Sequence, residues 1–263
     1  MIYPNINPVF LDLGFFQIHW YGVMYLISFI SVWFLMNYKI KNNKSWDKKQ
    51  VEDLIFFGIL GVIIGGRLGY MFFYNFPIFL NNPLTLLKIW QGGMSFHGGF
   101  LGVLLAIYLF AKKNNKTFFK ITDFIAPFVP IGLGLGRIGN FINAELWGKI
   151  TNSPLGMYAP DSHLSNAVWA VRYPSQLYEA LLEGLVLFLI LWFFSAKPKP
   201  KMAISALFLI AYGFFRFIVE FVRVPDVQLG YLAFDWLTMG QVLSFPMIVL
   251  GIVLLFMAYK SKL

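Results

Sequence analysis

The chain has 263 residues, 59% of them hydrophobic, 19% aromatic and only 13% charged, with a mean hydropathy of +0.68. Soluble globular domains carry about 25% charged residues, so this composition excludes that class and points to a polytopic integral membrane protein. The formal charge of +9 sits mostly in alternate loops, the mark of a solvated cytoplasmic face, and implies no nucleic-acid partner.

Apolar runs at 18–38, 54–74, 95–111, 121–143, 175–195, 202–222 and 240–258 predict seven spans. Each is long enough to cross a hydrocarbon core of roughly 30 Å as a helix. The expected fold is all-α, one polytopic membrane domain over 1–263. Residues 1–17 hold no Lys or Arg, so they lack the basic start of a cleaved signal peptide and the first span is expected to be retained. The segment 76–93, with Pro77, Pro83, Lys88 and Trp90, reads as interfacial, lying along the membrane. The longest outer loop, 144–174, is rich in Pro, Gly, Tyr and Trp and is expected to form a small extracytoplasmic cap. No duplicated half is visible.

Orientation follows from the basic residues. Lys39, Lys41, Lys44, Lys48 and Lys49 follow span one, and Lys112, Lys113, Lys116 and Lys120 follow span three. Lys197, Lys199 and Lys201 follow span five, and Lys260 and Lys262 follow span seven, whereas the opposite loops hold only Lys88, Lys149, Arg172 and Arg223. The N-terminus is therefore expected outside and the C-terminus in the cytoplasm.

This topology sorts the intramembrane polar residues by depth. Tyr21 opens span one, Arg67 and Tyr70 lie in the outer part of span two, and His97 opens span three. Arg137, Asn140 and Asn143 close span four, Glu179 opens span five, and Arg216, Glu220 and Arg223 close span six. A central Arg costs roughly 2.5 to 3.5 kcal/mol on translocon scales. Interhelical hydrogen bonding explains any one of these residues, but their shared depth points to a polar site toward the outer leaflet, suited to an anion.

Within the segment from Gly132 to Gly148, Gly132, Gly136 and Asn140 recur every fourth residue. They predict a strip open to a helix or a lipid, with Arg137, Asn140 and Asn143 on a neighbouring face offering a guanidinium fork and amides to a phosphate. Gly61, Gly65 and Gly69 beside Arg67 and Tyr70 predict a tight helix contact more than a phosphate contact. Arg216, Glu220 and Arg223, spaced by four and three, share a face and can pair; a salt bridge and a site role are both open. His97 stands among glycines that leave room for a substrate, and an imidazole's ordinary pKa of about 6.5 suits proton transfer. His19 lies at the outer edge of the first apolar run and His163 in a loop, and three scattered His with no Cys give no zinc pattern. Neither a metal nor a cofactor is expected.

Two apparent motifs carry no function. Gly134-x-Gly136-x-x-Gly139 matches a dinucleotide fingerprint but lies in a membrane span with no preceding strand. Ser95 and His97 do not form Gly-x-Ser-x-Gly, because residue 97 is His, which argues against a serine lipase.

Six segments together carry a resemblance. They are His19-Trp20-Tyr21-Gly22, Gly65-Gly66-Arg67-Leu68-Gly69-Tyr70, Met94-Ser95-Phe96-His97-Gly98-Gly99, Gly136-Arg137-Ile138-Gly139-Asn140-Phe141-Ile142-Asn143, Tyr173-Pro174-Ser175-Gln176-Leu177-Tyr178-Glu179 and Arg216-Phe217-x-x-Glu220-Phe221-x-Arg223. In this order, over almost the whole chain, they resemble bacterial phosphatidylglycerol:prolipoprotein diacylglyceryl transferase. One departure is Lys149, where relatives often carry Arg.

The resemblance implies transfer of the sn-1,2-diacylglyceryl group from phosphatidylglycerol to the lipobox cysteine thiol of a preprolipoprotein signal peptide. A thioether forms and glycerol 1-phosphate leaves, in the bacterial inner membrane. It implies catalytic roles for His97, Arg137 and Arg216, and a substrate-binding shell of Tyr21, Arg67, Tyr70, Asn140, Asn143, Glu145, Glu179, Glu220 and Arg223. Which residue accepts the thiol proton stays open. The competing expectation is a transporter or channel for an anionic or lipid solute, since intramembrane Arg and Glu also mark permeation paths. The cytoplasmic halves of the spans are almost wholly apolar, which argues against a continuous path.

Overall fold

The computed structural model describes residues 1–41, 45–89, 92–160, 169–225 and 229–260. Lys44, Trp90, His163 and Lys262, which entered the sequence reading, lie outside the described residues. In chain order, a hairpin of β1 (Val9–Asp12) and β2 (Gln17–His19) leads into α1 (Trp20–Ile40) and α2 (Lys48–Phe73). The short α3 (Phe76–Asn81), a 3-10 turn over Pro83–Leu87 and α4 (Phe96–Lys113) follow. Then come α5 (Phe118–Ile125), α6 (Val129–Ile142) and a second hairpin, β3 (Met157–Ala159) with β4 (Ala170–Arg172). α7 (Ser175–Glu179), a π-helical stretch over Ala180–Val186 and α8 (Leu187–Phe194) run on as one helix, followed by α9 (Ala203–Val219) and α10 (Met239–Lys260).

The protein is mostly rather than wholly helical, with two short antiparallel strand pairs among the described residues, the first ending at the start of the first apolar run. Among the described residues, five helices are long and apolar enough to cross a membrane: α1, α2, α4, the Ser175–Phe194 helix and α10. The run expected as a single fourth span is a pair, α5 and α6, bent by 48°. Pro127 and Pro130 lie at the break, where a missing N–H and steric restriction of the preceding residue interrupt the helical ladder. Counted as one span, this pair makes six; α9, at 17 residues, is shorter than the other spans. Only 17% of the apolar window is buried in α1 and in α10, and large apolar residues such as Leu26, Ile30, Phe34, Leu250 and Phe256 are exposed. Such outward apolar faces suit hydrocarbon, not water.

The chain divides into two compact units, one of Met1–Val32 with Asp123–Leu263, the other of Trp33–Thr122. In the second unit α2 and α4 meet on glycines. A Cβ on Gly61 would fall 2.7 Å from the Gly102 carbonyl oxygen, and one on Gly69 would fall 2.7 Å from the Cα of Gly98. The expected small-residue ladder is thus a backbone-to-backbone contact, one of the few ways to gain dispersion energy where lipid removes the hydrophobic drive.

In the first unit Asp123 ties α5 to the start of α9, accepting from the N–H of Met202 at 2.7 Å and of Ser205 at 2.8 Å. α6 packs on the π-helical stretch through Gly134 and Gly184, where a Cβ on Gly184 would lie 2.6 Å from the Cα of Gly134. The contact therefore uses Gly134, while Gly136 faces open space and Gly132 meets only the Ser28 hydroxyl. Residues 144–160 and 169–174 fold around the β3–β4 hairpin, pinned by a core of Tyr3, Trp147, Met157 and Ala159. Tyr3 donates to the Ile142 carbonyl at 2.9 Å, and burial pushes its phenol above the ordinary value.

Candidate functional site

Glu179 is the centre of the polar cluster in the first unit. Its side chain is fully buried, and three guanidinium groups converge on it. Arg137 Nε lies 2.6 Å from Oε2, Arg216 Nη1 lies 3.2 Å from the same oxygen, and Arg223 Nη1 lies 2.7 Å from Oε1. Glu220 forms a second acceptor, its Oε1 paired with Arg216 Nη2 and, at 3.2 Å, with Arg223 Nε. Three arginines thus rest on Glu179 and Glu220, with Glu183 4.0 Å from Arg216 Nη1, so charges of both signs meet in one cluster, as low dielectric requires.

The three differ in what they leave free. Arg223 and Arg216 are the more enclosed, with 12% and 17% of their side chains exposed, whereas Arg137 is 24% exposed. Arg137 is anchored through Nε on Glu179 and through Nη1 on the Asn140 amide oxygen at 3.3 Å. Its Nη2 has no partner among the described residues. A planar fork held on one edge and open on the other is preorganised for a phosphate oxygen.

The two asparagines serve Glu145. Asn140 Nδ2 donates to its Oε1 at 2.8 Å and Asn143 Nδ2 at 3.3 Å. Glu145 lies between Ala144 and Leu146, both in the left-handed region at φ 54° and 61°, which costs about 1 to 2 kcal/mol per non-glycine residue. The neighbourhood enforces this conformation. The Glu145 N–H bonds the Asn140 carbonyl at 3.1 Å, the Ser175 hydroxyl donates to the Leu146 carbonyl at 2.9 Å, and Gln176 Nε2 donates to the Glu145 carbonyl. The loop after α6 is therefore held against the start of α7, the element that carries Glu179.

Tyr21, in the first turn of α1, packs against Gly139, where a Cβ would come within 2.8 Å of its ring. Gly148 allows a still closer approach, since a Cβ there would lie 2.5 Å from the Val222 carbonyl oxygen and 2.8 Å from that of Tyr173. That contact joins the loop to the segment of Arg223, reinforced by the Lys149 ammonium, which donates to the Phe221 carbonyl at 2.9 Å.

His97, Arg67 and Tyr70 belong to the second unit. All five guanidinium N–H donors of Arg67 are used on backbone carbonyls: Leu86, Thr85 and Lys88 at 3.1, 2.6 and 3.0 Å, Gly93 at 3.1 Å, and Gly92. The residue is buried and acts as a clamp on the segment between α3 and α4. Tyr70 packs on Gly93, a glycine at φ +80° whose Cβ would fall 2.3 Å from the ring. Ser95 caps α4 by accepting from the Gly98 N–H at 3.2 Å and donates its own N–H to the Gly66 carbonyl at 2.8 Å. Two residues on, His97 is exposed in the first turn of α4, its ring edge-on to Phe96.

Sequence reasoning missed Glu183. It is the second carboxylate of the Ser175–Phe194 helix, buried, and neither of its oxygens has a hydrogen-bond partner. Arg216 Nη1, at 4.0 Å, is the cation beside it. The signal was present as a Glu four residues beyond Glu179 inside an apolar run. Glu183 lies on the π-helical turn, a feature that recurs at functional sites. Thr238, which donates to Glu220 Oε2 at 2.6 Å, was missed too. Among the described residues no group of three or more His, Cys, Asp or Glu is placed to hold a metal ion.

Apolar helices with outward-facing hydrophobic surfaces, and half-buried arginines resting on buried carboxylates, define an integral membrane protein with a polar centre of paired charges. A family model described as prolipoprotein diacylglyceryl transferase matches residues 8–257, and the chain belongs to that family. Among its relatives, the phosphatidylglycerol–prolipoprotein diacylglyceryl transferase of Pseudomonas fluorescens strain Pf-5 is 57% identical over 258 residues, covering 98% of this chain and 95% of the relative. The protein of the same description from Ectopseudomonas mendocina is 56% identical over 261 residues, covering 99% and 97%. That from Pseudomonas putida strain W619 is 55% identical over 261 residues, covering 99% and 96%. The transporter or channel expectation finds no support among them.

Proposed function

We propose that this protein transfers the sn-1,2-diacylglyceryl group of phosphatidylglycerol to the lipobox cysteine thiol of a preprolipoprotein signal peptide, the first step of lipoprotein maturation. The sulfur forms a bond to the glyceryl carbon while that carbon's bond to the phosphate oxygen breaks. The electron pair stays with the departing glycerol 1-phosphate, and the thiol proton passes to a base. The observation that carries this reading is the open edge of Arg137, anchored on Glu179 and Asn140 with Nη2 unengaged. Charge gathers on the phosphate as it leaves, and a fixed guanidinium stabilises that charge without reorganising.

Arg137 is assigned to the phosphate, with Asn140 bracing its guanidinium. Arg216 supports the same charge, and Glu179, Glu220 and Arg223 orient it. Asn143 and Glu145 complete the amide-to-carboxylate chain, and Tyr21 contributes to the substrate wall. His97 is assigned to thiol proton abstraction or thiol orientation; a free thiol with a pKa of about 8.5 is only a few per cent ionised at neutral pH and gains from such a partner. Tyr70 and Arg67 shape the segment that leads to His97, Arg67 through its five bonds to loop carbonyls.

The proposed setting is the bacterial inner membrane, crossed seven times when the α5–α6 pair and α9 are each counted as spans, with the N-terminus outside and the C-terminus in the cytoplasm. The folded residues of 144–174 serve as an extracytoplasmic cap, and the reaction takes place toward the outer leaflet. Incubating the purified protein with phosphatidylglycerol and a lipobox peptide, then measuring the peptide's mass, tests the function. A gain of one diacylglyceryl group is the expected result, and an unchanged peptide with intact protein overturns the proposal.

A further inference from the structure

Glu220 carries a contact that the charge pattern alone does not require. Its Oε1 is shared by Arg216 and Arg223, and its Oε2 takes the Thr238 hydroxyl at 2.6 Å. Thr238 stands immediately before α10 and is buried, as is Gln241. The two form a reciprocal cap, with the Thr238 N–H donating to Gln241 Oε1 at 3.0 Å and the Gln241 N–H donating to the Thr238 hydroxyl at 3.3 Å. In such a Thr-x-x-Gln box the hydroxyl oxygen accepts from the helix N-terminus, which leaves its single proton for an outside acceptor. Here that acceptor is Glu220.

The residue between them makes room for the carboxylate. A Cβ on Gly240 would lie 2.5 Å from Glu220 Cδ and 2.6 Å from its Oε1. The glycine is needed for close approach, and the carboxylate rests on the first turn of α10, where unpaired N–H groups favour negative charge.

We propose that Thr238 and Gly240 are positioning residues for diacylglyceryl transfer. Thr238 fixes the rotation of the Glu220 carboxylate so that Oε1 faces both Arg216 and Arg223, and Gly240 keeps the space it occupies. Without the hydroxyl the carboxylate is free to turn Oε2 toward the arginines and pull Arg216 away from Glu179. This inference rests on the reading that Arg216, Glu220 and Arg223 serve the transfer.

The test compares Thr238→Val, Thr238→Ser, Gly240→Ala, Glu220→Gln and the Thr238→Val/Glu220→Gln double variant of the full chain, with phosphatidylglycerol and a lipobox peptide as substrates. Thermal midpoints are measured alongside kcat and KM. Thr238→Val is expected to lower kcat about 10- to 100-fold, the scale of one lost hydrogen bond to a charged group, with a smaller change in KM. Thr238→Ser restores kcat to within about threefold, because it keeps the donor. In the Glu220→Gln background Thr238→Val lowers kcat by less than about twofold, since the interaction it acts through is already broken; a cap with a purely structural role would lower it equally in both backgrounds.

A normal kcat in Thr238→Val beside an inactive Glu220→Gln overturns the inference and leaves the reading of the cluster intact. Full transfer by Glu220→Gln overturns that reading itself. Should Thr238→Val not fold, Gly240→Ala decides, because it leaves both capping side chains in place and acts on the carboxylate. Undiminished transfer by a folded Gly240→Ala variant overturns the proposal.

Discussion

Arg137 Nε lies 2.6 Å from Glu179 Oε2, so the arginine proposed to meet phosphate is held by its inner edge on a carboxylate 42 residues further along the chain. The guanidinium plane is set by that contact and by Asn140, which accepts from Nη1 at 3.3 Å. A lysine keeps the charge but not the plane, and its single ammonium cannot hold Glu179 and a phosphate oxygen in the same fixed geometry. Arg137→Lys is therefore expected to purify as a folded protein and to lose at least about tenfold in transfer rate, the scale of one charge-assisted hydrogen bond. Near-normal transfer, measured as peptide mass gain over time, would mean that Arg137 acts only as a generic charge.

Glu179 and Glu183 lie on one helix, both buried, yet they answer substitution differently. Glu179 holds three guanidinium groups, and Glu183 has no hydrogen-bond partner for either oxygen. Breaking a buried pair by removing one partner typically costs about 3 to 5 kcal/mol, whereas Glu183 meets Arg216 Nη1 at 4.0 Å, too long for a hydrogen bond, and has less to lose with its charge. Glu179→Gln should lower the thermal midpoint sharply, and Glu183→Gln should change stability by no more than about 1 kcal/mol. Equal losses in the two variants would place Glu183 inside the charge network as a full member.

The Arg216, Glu220 and Arg223 pairing was legible because helical periodicity puts residues spaced by four and three on one face, and the structure pairs them. Glu179 as their common acceptor was not legible. Its partners Arg216 and Arg223 are 37 and 44 residues away, and periodicity says nothing about which helix ends meet. The same limit explains Arg67, whose five acceptors are loop carbonyls that leave no trace in residue type. The break between α5 and α6 was legible in principle, since Pro127 and Pro130 interrupt the run 121–143; hydropathy alone read through them. Of the two uses expected for the Gly132–Gly136 strip, a helix contact is not the one Gly136 makes, since it faces open space; the helix contact of α6 falls on Gly134 against Gly184, a partner that periodicity within α6 does not reveal.

His97 is testable through pH because the nucleophile comes from the substrate. If the imidazole accepts the thiol proton, His97→Asn removes the acceptor and leaves attack to the fraction of peptide already ionised. That fraction grows about tenfold per pH unit below the thiol's ordinary pKa of about 8.5. The variant should be slow at neutral pH and recover part of its rate as pH rises toward 9, while KM for phosphatidylglycerol stays within about threefold. A variant equally slow at every pH would assign His97 to orientation and move the search for the base to another residue.

The orientation of the chain rests on lysine counts in the loops and is open to a direct measurement. Lys112 and Lys113 end α4, Lys116 lies in the turn after it and Lys120 in α5, and Gln50 accepts from the Lys116 ammonium at 2.8 Å. That ammonium's pKa is lowered by partial burial and the nearby Lys120, with Asp47 opposing the shift. The segment between α2 and α4, in contrast, holds Lys88 as its only basic residue. A short loop this basic resists export, because each Lys must cross the membrane against the bias that retains positive charge in the cytoplasm. A reporter active only outside should therefore work when fused after Asn81, at the end of α3, and stay silent when fused after Asn114, which follows α4. The reverse pattern would invert the orientation and move the proposed reaction to the cytoplasmic leaflet. Activity at both positions would mean that α4 does not cross the membrane in the fusion.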